Sequence, residues 1–370
     1  MLPKRTLMGP GPSDVYPEVL AAMSRPTIGH LDPAFVEFMD ELNQLLRYAF
    51  QTQNTVTMPI SAPGSAGMET CFVNLLEPGD KVVIAINGVF GGRMLENARR
   101  CGAKPVVVEF EWGTPVEPGK VEEVLKANPD TVALAFVHSE TSTGVRSDAK
   151  ALCKLAQEHG CLSIVDAVTS LGGIELKVDD WGIDAIYSGT QKCLSVPPGL
   201  SPVSFNQAAM DKVKSRATPS QSWFLDLNLL TGYWGPGAKR AYHHTAPINS
   251  LYALDEGLRL LKKEGLENAW ARHARNHVKL REGLEAMGLE FYVDADYRLP
   301  QLNAVKVPEG VDEAVVRSFL LNEYNLEIGA GLGPLAGKIW RIGLMGASST
   351  EKHIELCLDG LQAALTRVSL

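Results

Sequence analysis

No stretch of the sequence approaches the roughly 18–20 consecutive apolar residues that a membrane-spanning helix needs, so no membrane contact is expected. The N-terminal MLPKRTLMGPGPSD has no apolar h-region, and no secretory signal is expected from it. The C-terminal RVSL has only a faint likeness to a peroxisomal address, and a cytoplasmic location is the expectation. No CxxC pair occurs among the six cysteines, Cys71, Cys101, Cys153, Cys161, Cys193 and Cys357. Their scatter argues for a reducing compartment and against a zinc site. No GK[ST] follows the glycine-rich stretch at 61–67, which excludes a Walker loop. No G-x-G-x-x-G follows the first strand pattern, which disfavours a dinucleotide-binding enzyme. Excess positive charge is also missing: the net charge of −8 keeps the chain soluble and disfavours nucleic-acid binding as its main task. Internal repeats and low-complexity segments are absent.

What remains is a chain of 370 residues with 45% hydrophobic content, enough for one large core and a smaller second one. Residues 1–20, rich in glycine and proline, read as an arm rather than a regular element. Beyond them, apolar runs alternate with helical patterns: KVVIAI (81–86), KPVVVEF (104–110), TVALAFVHSE (131–140), CLSIVDAV (161–168) and AIYSGTQK (185–192). Short buried strands alternating with helices predict an α/β fold with a mainly parallel sheet flanked by helices. From about residue 250 the pattern becomes almost wholly helical, with KEG as a break. Shorter strand candidates, LNAVKVP and WRIGLMG, then surround the helix VDEAVVRSFLLNEY. The reading is a large domain over 21–263 and a small C-terminal α+β domain over 264–370.

In open parallel sheets, ligands collect beyond the carboxyl ends of the strands. Polar clusters fall at such ends at Asn87–Gly92, His138–Gly144, Asp166–Ser170 and Ser188–Lys192. Asp166 closes an apolar strand, where a carboxylate is costly unless a helix N-cap, an Asx turn or a positive group meets it. Lys192 closes the next strand in a turn of small residues. It is either a snorkelling surface group or an amine able to shed its proton and act as a nucleophile. An aldehyde cofactor with a basic ring nitrogen uses both residues, and pyridoxal phosphate is the obvious case. Gly64, Ser65 and Ala66 open an amphipathic helix whose unpaired N–H groups and dipole suit a phosphate, or merely start a helix. Phe90 either packs in the core or lies on a pyridine ring, a contact contributing about 0.5–1.5 kcal/mol beyond burial. Arg341, inside an apolar strand, must meet an anion, either an internal Asp or Glu or a substrate carboxylate.

Taken in order, GPGPS (9–13), ETSTGV, VDAVTSLGG, SGTQK, PPG, YHHTAP and RIGL (341–344) resemble the fold-type I pyridoxal-phosphate enzymes. Within them the likeness is to class V aminotransferases of the alanine–glyoxylate and serine–glyoxylate kind. It covers nearly the whole chain. The resemblance implies that Lys192 carries the cofactor as a Schiff base and that Asp166 pairs with the pyridine nitrogen. It places Phe90 on the ring, where relatives often carry tryptophan or tyrosine, and Thr141 at the ring oxygen. Ser65 and Ala66 would bind the phosphate through backbone amides, and Gln191 through its side chain. Arg341 would take the substrate carboxylate. Tyr242 and Thr245 would cross to a neighbouring subunit and complete its phosphate site, making a homodimer obligatory. Pro63 departs from the family pattern, because it removes one N–H donor from the phosphate loop. The implied activity is ping-pong transamination from a small amino acid, alanine or serine, to a small 2-oxo acid, glyoxylate or pyruvate, with no metal. A lyase of the same fold, cysteine desulfurase-like or kynureninase-like, is the alternative; a desulfurase needs a mobile reactive cysteine, for which Cys193 is poorly placed. A non-catalytic scaffold is disfavoured because Lys192, Asp166 and Arg341 are all present.

Overall fold

The computed structural model describes residues 2–235 and 240–368. Seven strands form the main sheet: β1 (Val56–Ile60), β2 (Lys81–Ile86), β3 (Lys104–Glu109), β4 (Thr131–Val137), β5 (Leu162–Asp166), β6 (Ala185–Tyr187) and β7 (Ser201–Phe205). Their spatial order is β3-β2-β4-β5-β6-β7-β1. Neighbours from β3 to β6 are parallel, and β7 runs antiparallel to both β6 and β1. β4 to β6 are continuous apolar runs because helices cover both faces of the sheet there, leaving no polar alternation. After β3 the chain returns to the other side of β2, so the loops following β2 and β4 diverge and open a crevice at the carboxyl ends.

Two strands were not legible as such. β1 and β7 each contain a proline, which ordinarily argues against a ladder position, and Pro59 and Pro202 lie directly opposite one another. On the β6 side the donor that Pro202 lacks is replaced: Ser201 Oγ donates to the Ser188 carbonyl at 2.6 Å. Within the run 185–192, the strand stops at Tyr187 and the rest is turn.

A second, smaller sheet, β8 (Leu302–Lys306), β9 (Gly329–Ala330) and β10 (Ile339–Gly343), is antiparallel in the order β8-β10-β9. Its core gathers Leu280, Val305, Trp340, Ile342 and Leu361. The helical stretch breaks at Gly265, whose φ of +87° favours glycine. The following helix, Leu266–Ala286, serves both cores: Leu266 and Ala269 pack into the first, Leu280 and Leu284 into the second. The first 20 residues carry more regular structure than an arm. Thr6–Leu7 pairs with Leu326–Glu327, Met8 enters the second core, and a helix starts at Pro17, where proline's fixed φ suits the first turn. Among the described residues, no helix is long and apolar enough to cross a membrane.

Candidate active site

Parallel pairing brings the carboxyl ends of β5 and β6 together, with Asp166 opposite Tyr187 in register. The Asp166 carboxylate is buried, and accepts from Tyr187 Oη at 2.7 Å and from the Val168 N–H at 2.8 Å. Burial pushes its pKa up to about 6, against the Tyr187 hydroxyl that favours the ionised form.

Lys192 lies in the turn after β6 and is buried. The N-terminal segment clamps that turn: the Ser13 N–H donates to Gln191 O at 2.9 Å, Ser13 Oγ donates to Lys192 O at 2.9 Å, and Lys192 Nζ donates to Pro10 O. Burial, helped by the Arg341 cation, holds the amine down at about 8. A proton can therefore leave it near neutral pH, unlike a surface lysine. Gly11 has φ +108°, and a Cβ there would collide with Lys192 Nζ and Cδ. Gly11→Ala is therefore expected to displace the lysine and to cost roughly 1–2 kcal/mol of backbone strain. A lower Tm and lower bound cofactor per subunit would register it.

The helix Gly64–Leu75 begins at the same cavity. The N–H groups of Gly64 and Ser65, in the first turn, have no acceptor within the helix. Ala66 departs from the expectation, because its N–H already donates to Pro63 O at 2.7 Å, so it is not available to a phosphate. Pro63 is the N-cap and contributes no donor.

Phe90 is set by the start of the helix Val89–Arg100. Its first three N–H groups are all taken from the β4 loop: Val89 donates to Ser142 Oγ at 3.0 Å, Phe90 and Gly91 to Glu140 Oε2 at 3.2 and 3.4 Å. Gly88 makes that approach possible, since a Cβ would overlap the Glu140 and Ser142 side chains. Arg93, one turn on, lies over the Phe90 ring at 4.9 Å and donates to Ser65 Oγ at 3.2 Å.

One cavity is lined by Gly64, Ser65, Phe90, Asp166, Gln191 and Lys192. Arg341, on β10, is close enough for its charge to act on Lys192 but is not among the residues lining that cavity. Its Nε donates to Ala330 O at 2.7 Å and its Nη1 to Thr141 O at 3.1 Å, both main-chain carbonyls. Among the described residues no carboxylate lies within ion-pair distance of it, although it is only 6% exposed. Thr141 holds Arg341 through its carbonyl and spends its hydroxyl on Thr169 Oγ1 at 2.5 Å, outside the cavity wall. Tyr242 and Thr245 are exposed and do not reach the cavity within one chain. Tyr187, Arg93 and Glu140 escaped the sequence reading. Arg93 had a signal in its spacing, three residues from Phe90 on one helix face; the other two became visible only through register and loop packing.

The residues fit a phosphorylated pyridine aldehyde. Gln191 lines the cavity, where its side-chain NH2 could donate to a phosphate, a near-neutral amine sits beside a buried carboxylate, and a buried guanidinium nearby bonds only main-chain carbonyls. The comparisons agree. Residues 12–351 match the family model "Aminotransferase class-V". The (S)-ureidoglycine–glyoxylate transaminase of Bacillus subtilis (strain 168) is 42% identical over 99% of this chain and 91% of its own length. The alanine–glyoxylate aminotransferase of Rattus norvegicus is 42% identical over 98% of this chain and 88% of its own. The crystal structure of alanine–glyoxylate aminotransferase from Nostoc sp. superposes with a TM-score of 0.96 at 46% identity, covering 99% of this chain and 96% of that one. A chain matched end to end, with an amine and a carboxylate at one sheet edge, belongs to the class V aminotransferases, which depend on pyridoxal phosphate.

Proposed function

We propose that this enzyme transfers an amino group from a small amino acid, alanine or serine, to glyoxylate, in two half-reactions at one site. The acceptor rests on the relatives, both of which are named for glyoxylate. The observation that carries the site reading is Arg341, a buried cation with no carboxylate in ion-pair contact among the described residues, whose charge acts on Lys192. Lys192 would hold the cofactor aldehyde, Asp166 would face the ring nitrogen, and Phe90 would cover the ring. Gly64, Ser65 and Gln191 would hold the phosphate, with Arg93 adding positive charge at its edge. When bound, the cofactor supplies a carbon that carries the amino group and a ring that accepts electrons.

The protein's own work follows from its geometry. Asp166, ionised above about pH 6, would balance the positive charge of a protonated ring nitrogen, and Tyr187 fixes that carboxylate's orientation. Lys192, with a pKa of about 8, would take the proton from the substrate α-carbon and deliver it, within the same half-reaction, to the carbon that receives the amino group, and would run the reverse transfer in the second. Arg341 fixes the α-carboxylate common to donor and acceptor. Its fork holds the substrate in one plane relative to the lysine. Arg341→Met is expected to raise KM for both substrates roughly 10–100-fold, the loss of a charged hydrogen-bonded contact. Initial rates for each substrate at saturation of the other check this. Capture of cofactor by the apo-protein requires a neutral amine, so its rate should rise with pH through about 8 and level off above. Stopped-flow absorbance from pH 6 to 10 tests that sign.

Desulfurase chemistry is not supported by the thiols near the site, Cys193 and Cys71, both buried, with burial pushing the Cys71 thiol up as well. Cys193 is buried, lies against Thr169 O at 3.8 Å, and burial pushes its pKa up to about 12. All six cysteines are buried and unpaired, which supports a reducing, cytoplasmic setting. Outward-facing Tyr242 and Thr245 support a homodimer in which each chain completes its neighbour's phosphate site. The division into domains at 21–263 and 264–370 is proposed on the change of core that occurs along the helix Leu266–Ala286. A half-reaction screen tests the activity: the cofactor-loaded enzyme is mixed with alanine, serine or larger amino acids. Conversion of the aldehyde cofactor to its amine form, followed by absorbance, should occur with the small donors and reverse on adding glyoxylate. Failure with every amino acid would refute the proposal.

A further inference from the structure

Between exposed Tyr242 and exposed Thr245 stand two histidines that face the other way. His244 Nε2 is 2.7 Å from Ser61 Oγ, and its Nδ1 is 2.8 Å from His243 Nδ1. Neither ring can donate and accept at the same nitrogen. The proton placements on Ser61, His244 and His243 are therefore coupled, the choice at one ring nitrogen setting the donor at the next. His243 is 5% exposed, stacks on Trp223 at 4.5 Å with a 6° interplanar angle, and leaves its Nε2 buried without a partner. Trp223 itself is 63% exposed. His244 is packed edge-on by Phe224 and Tyr233. Ser61 is the first residue after β1 and leads through Ala62 and Pro63 into Gly64, the start of the phosphate-facing helix.

We propose that Ser61, His244 and His243 are positioning residues that tie the 242–245 segment to the chain's own phosphate loop, so that a second copy of this chain receives Tyr242 and Thr245 in fixed register. The proposal rests on the reading that this segment crosses to a neighbouring subunit. The two consecutive histidines turn inward and are flanked by the exposed Tyr242 and Thr245: the inward bonds hold the segment, and its outward residues are left to reach across. Trp223, stacked on His243, keeps its outer face exposed, where a second copy would cover it. Each phosphate site would then be built from one loop anchored at its own Ser61 and one segment anchored at the partner's.

The test measures cofactor affinity, not turnover, on apo-protein made from the full chain. Pyridoxal phosphate and pyridoxal, which lacks the phosphate, are titrated in parallel, with the dimer fraction followed by sedimentation. Ser61→Ala is expected to weaken pyridoxal phosphate about tenfold while leaving pyridoxal within twofold, and Ser61→Thr, which keeps the hydroxyl, to restore most of the loss. Tyr242→Phe provides the control for the underlying reading and is expected to weaken the same phosphate-dependent component. If Ser61→Ala binds like the wild type while Tyr242→Phe is impaired, the tether is refuted and the subunit-crossing reading stands. If both bind like the wild type, the crossing reading fails and takes this proposal with it. Equal losses for pyridoxal phosphate and pyridoxal in Ser61→Ala would also overturn it, since the effect would then be general to the fold.

Discussion

Lys192→Ala is expected to abolish transamination, with kcat falling by at least about 10⁴-fold, and to remove the visible band of the protein-bound cofactor at the same time. Both losses follow from one group. Lys192 Nζ is the amine in the cavity that also contains Asp166, Phe90 and Gln191, and burial brings it close enough to neutrality to bond a carbonyl carbon and to move a proton. Its removal leaves no base there, because Asp166 is engaged by Tyr187 and Val168. The clamp of Pro10 and Ser13 acts on the backbone and tip of residue 192, so the alanine variant should keep its fold. A far-ultraviolet dichroism spectrum like the wild type's, together with lost absorbance and lost rate, is the expected combination.

Asp166→Asn separates charge from shape. Asparagine keeps one oxygen for the Val168 N–H, and its NH2 can donate to Tyr187 Oη where the second oxygen accepted, but it cannot balance a positive ring nitrogen. A fall in kcat of about 10²–10³-fold with modest change in KM is expected. Stability should move the other way in the apo-protein. The folded pKa of Asp166 is raised from 3.8 to about 6, so the fold bears the cost of a buried charge once pH exceeds the folded value. At pH 7 the asparagine variant should therefore melt no lower than the wild-type apo-protein, and below about pH 5, where the carboxyl is protonated, the difference should shrink. Melting curves at both pH values and steady-state kinetics at pH 8 test the two halves of the prediction.

The parts of the fold that could be read from the sequence are those with undiluted periodicity. The runs at 81–86 and 131–137 are strands because parallel central strands are apolar on both faces, while Lys104–Glu109, at the sheet edge, is only half-buried but keeps its apolar run Val106–Val108. β1 and β7 were hidden by Pro59 and Pro202, whose missing donors are harmless only because they face each other in the ladder and because Ser201 supplies a hydroxyl. That compensation is tertiary and leaves no local pattern. The site divides in the same way. Asp166 and Lys192 were legible as charged groups placed where apolar strands end. Arg341 was legible as a cation inside a strand, and in the fold its hydrogen bonds go to main-chain carbonyls, with the charge of Glu140 acting on it but no carboxylate in ion-pair contact among the described residues. Ala66 was misassigned because a helix start alone does not reveal which amide folds back on the cap, here onto Pro63 O. Glu140 went unnoticed because its role is to cap a helix 50 residues away in the chain, a contact made by the loops of β2 and β4 meeting at the crevice.

Reduction of the cofactor-loaded enzyme with borohydride, followed by proteolysis and mass mapping of the cofactor-bearing peptide, examines the role of the buried amine without relying on a variant. The fragment spanning SGTQK should carry the label, on residue 192 alone. A label on any other lysine, or none on that fragment, would contradict the assignment of the chemistry to the edge shared by β5 and β6.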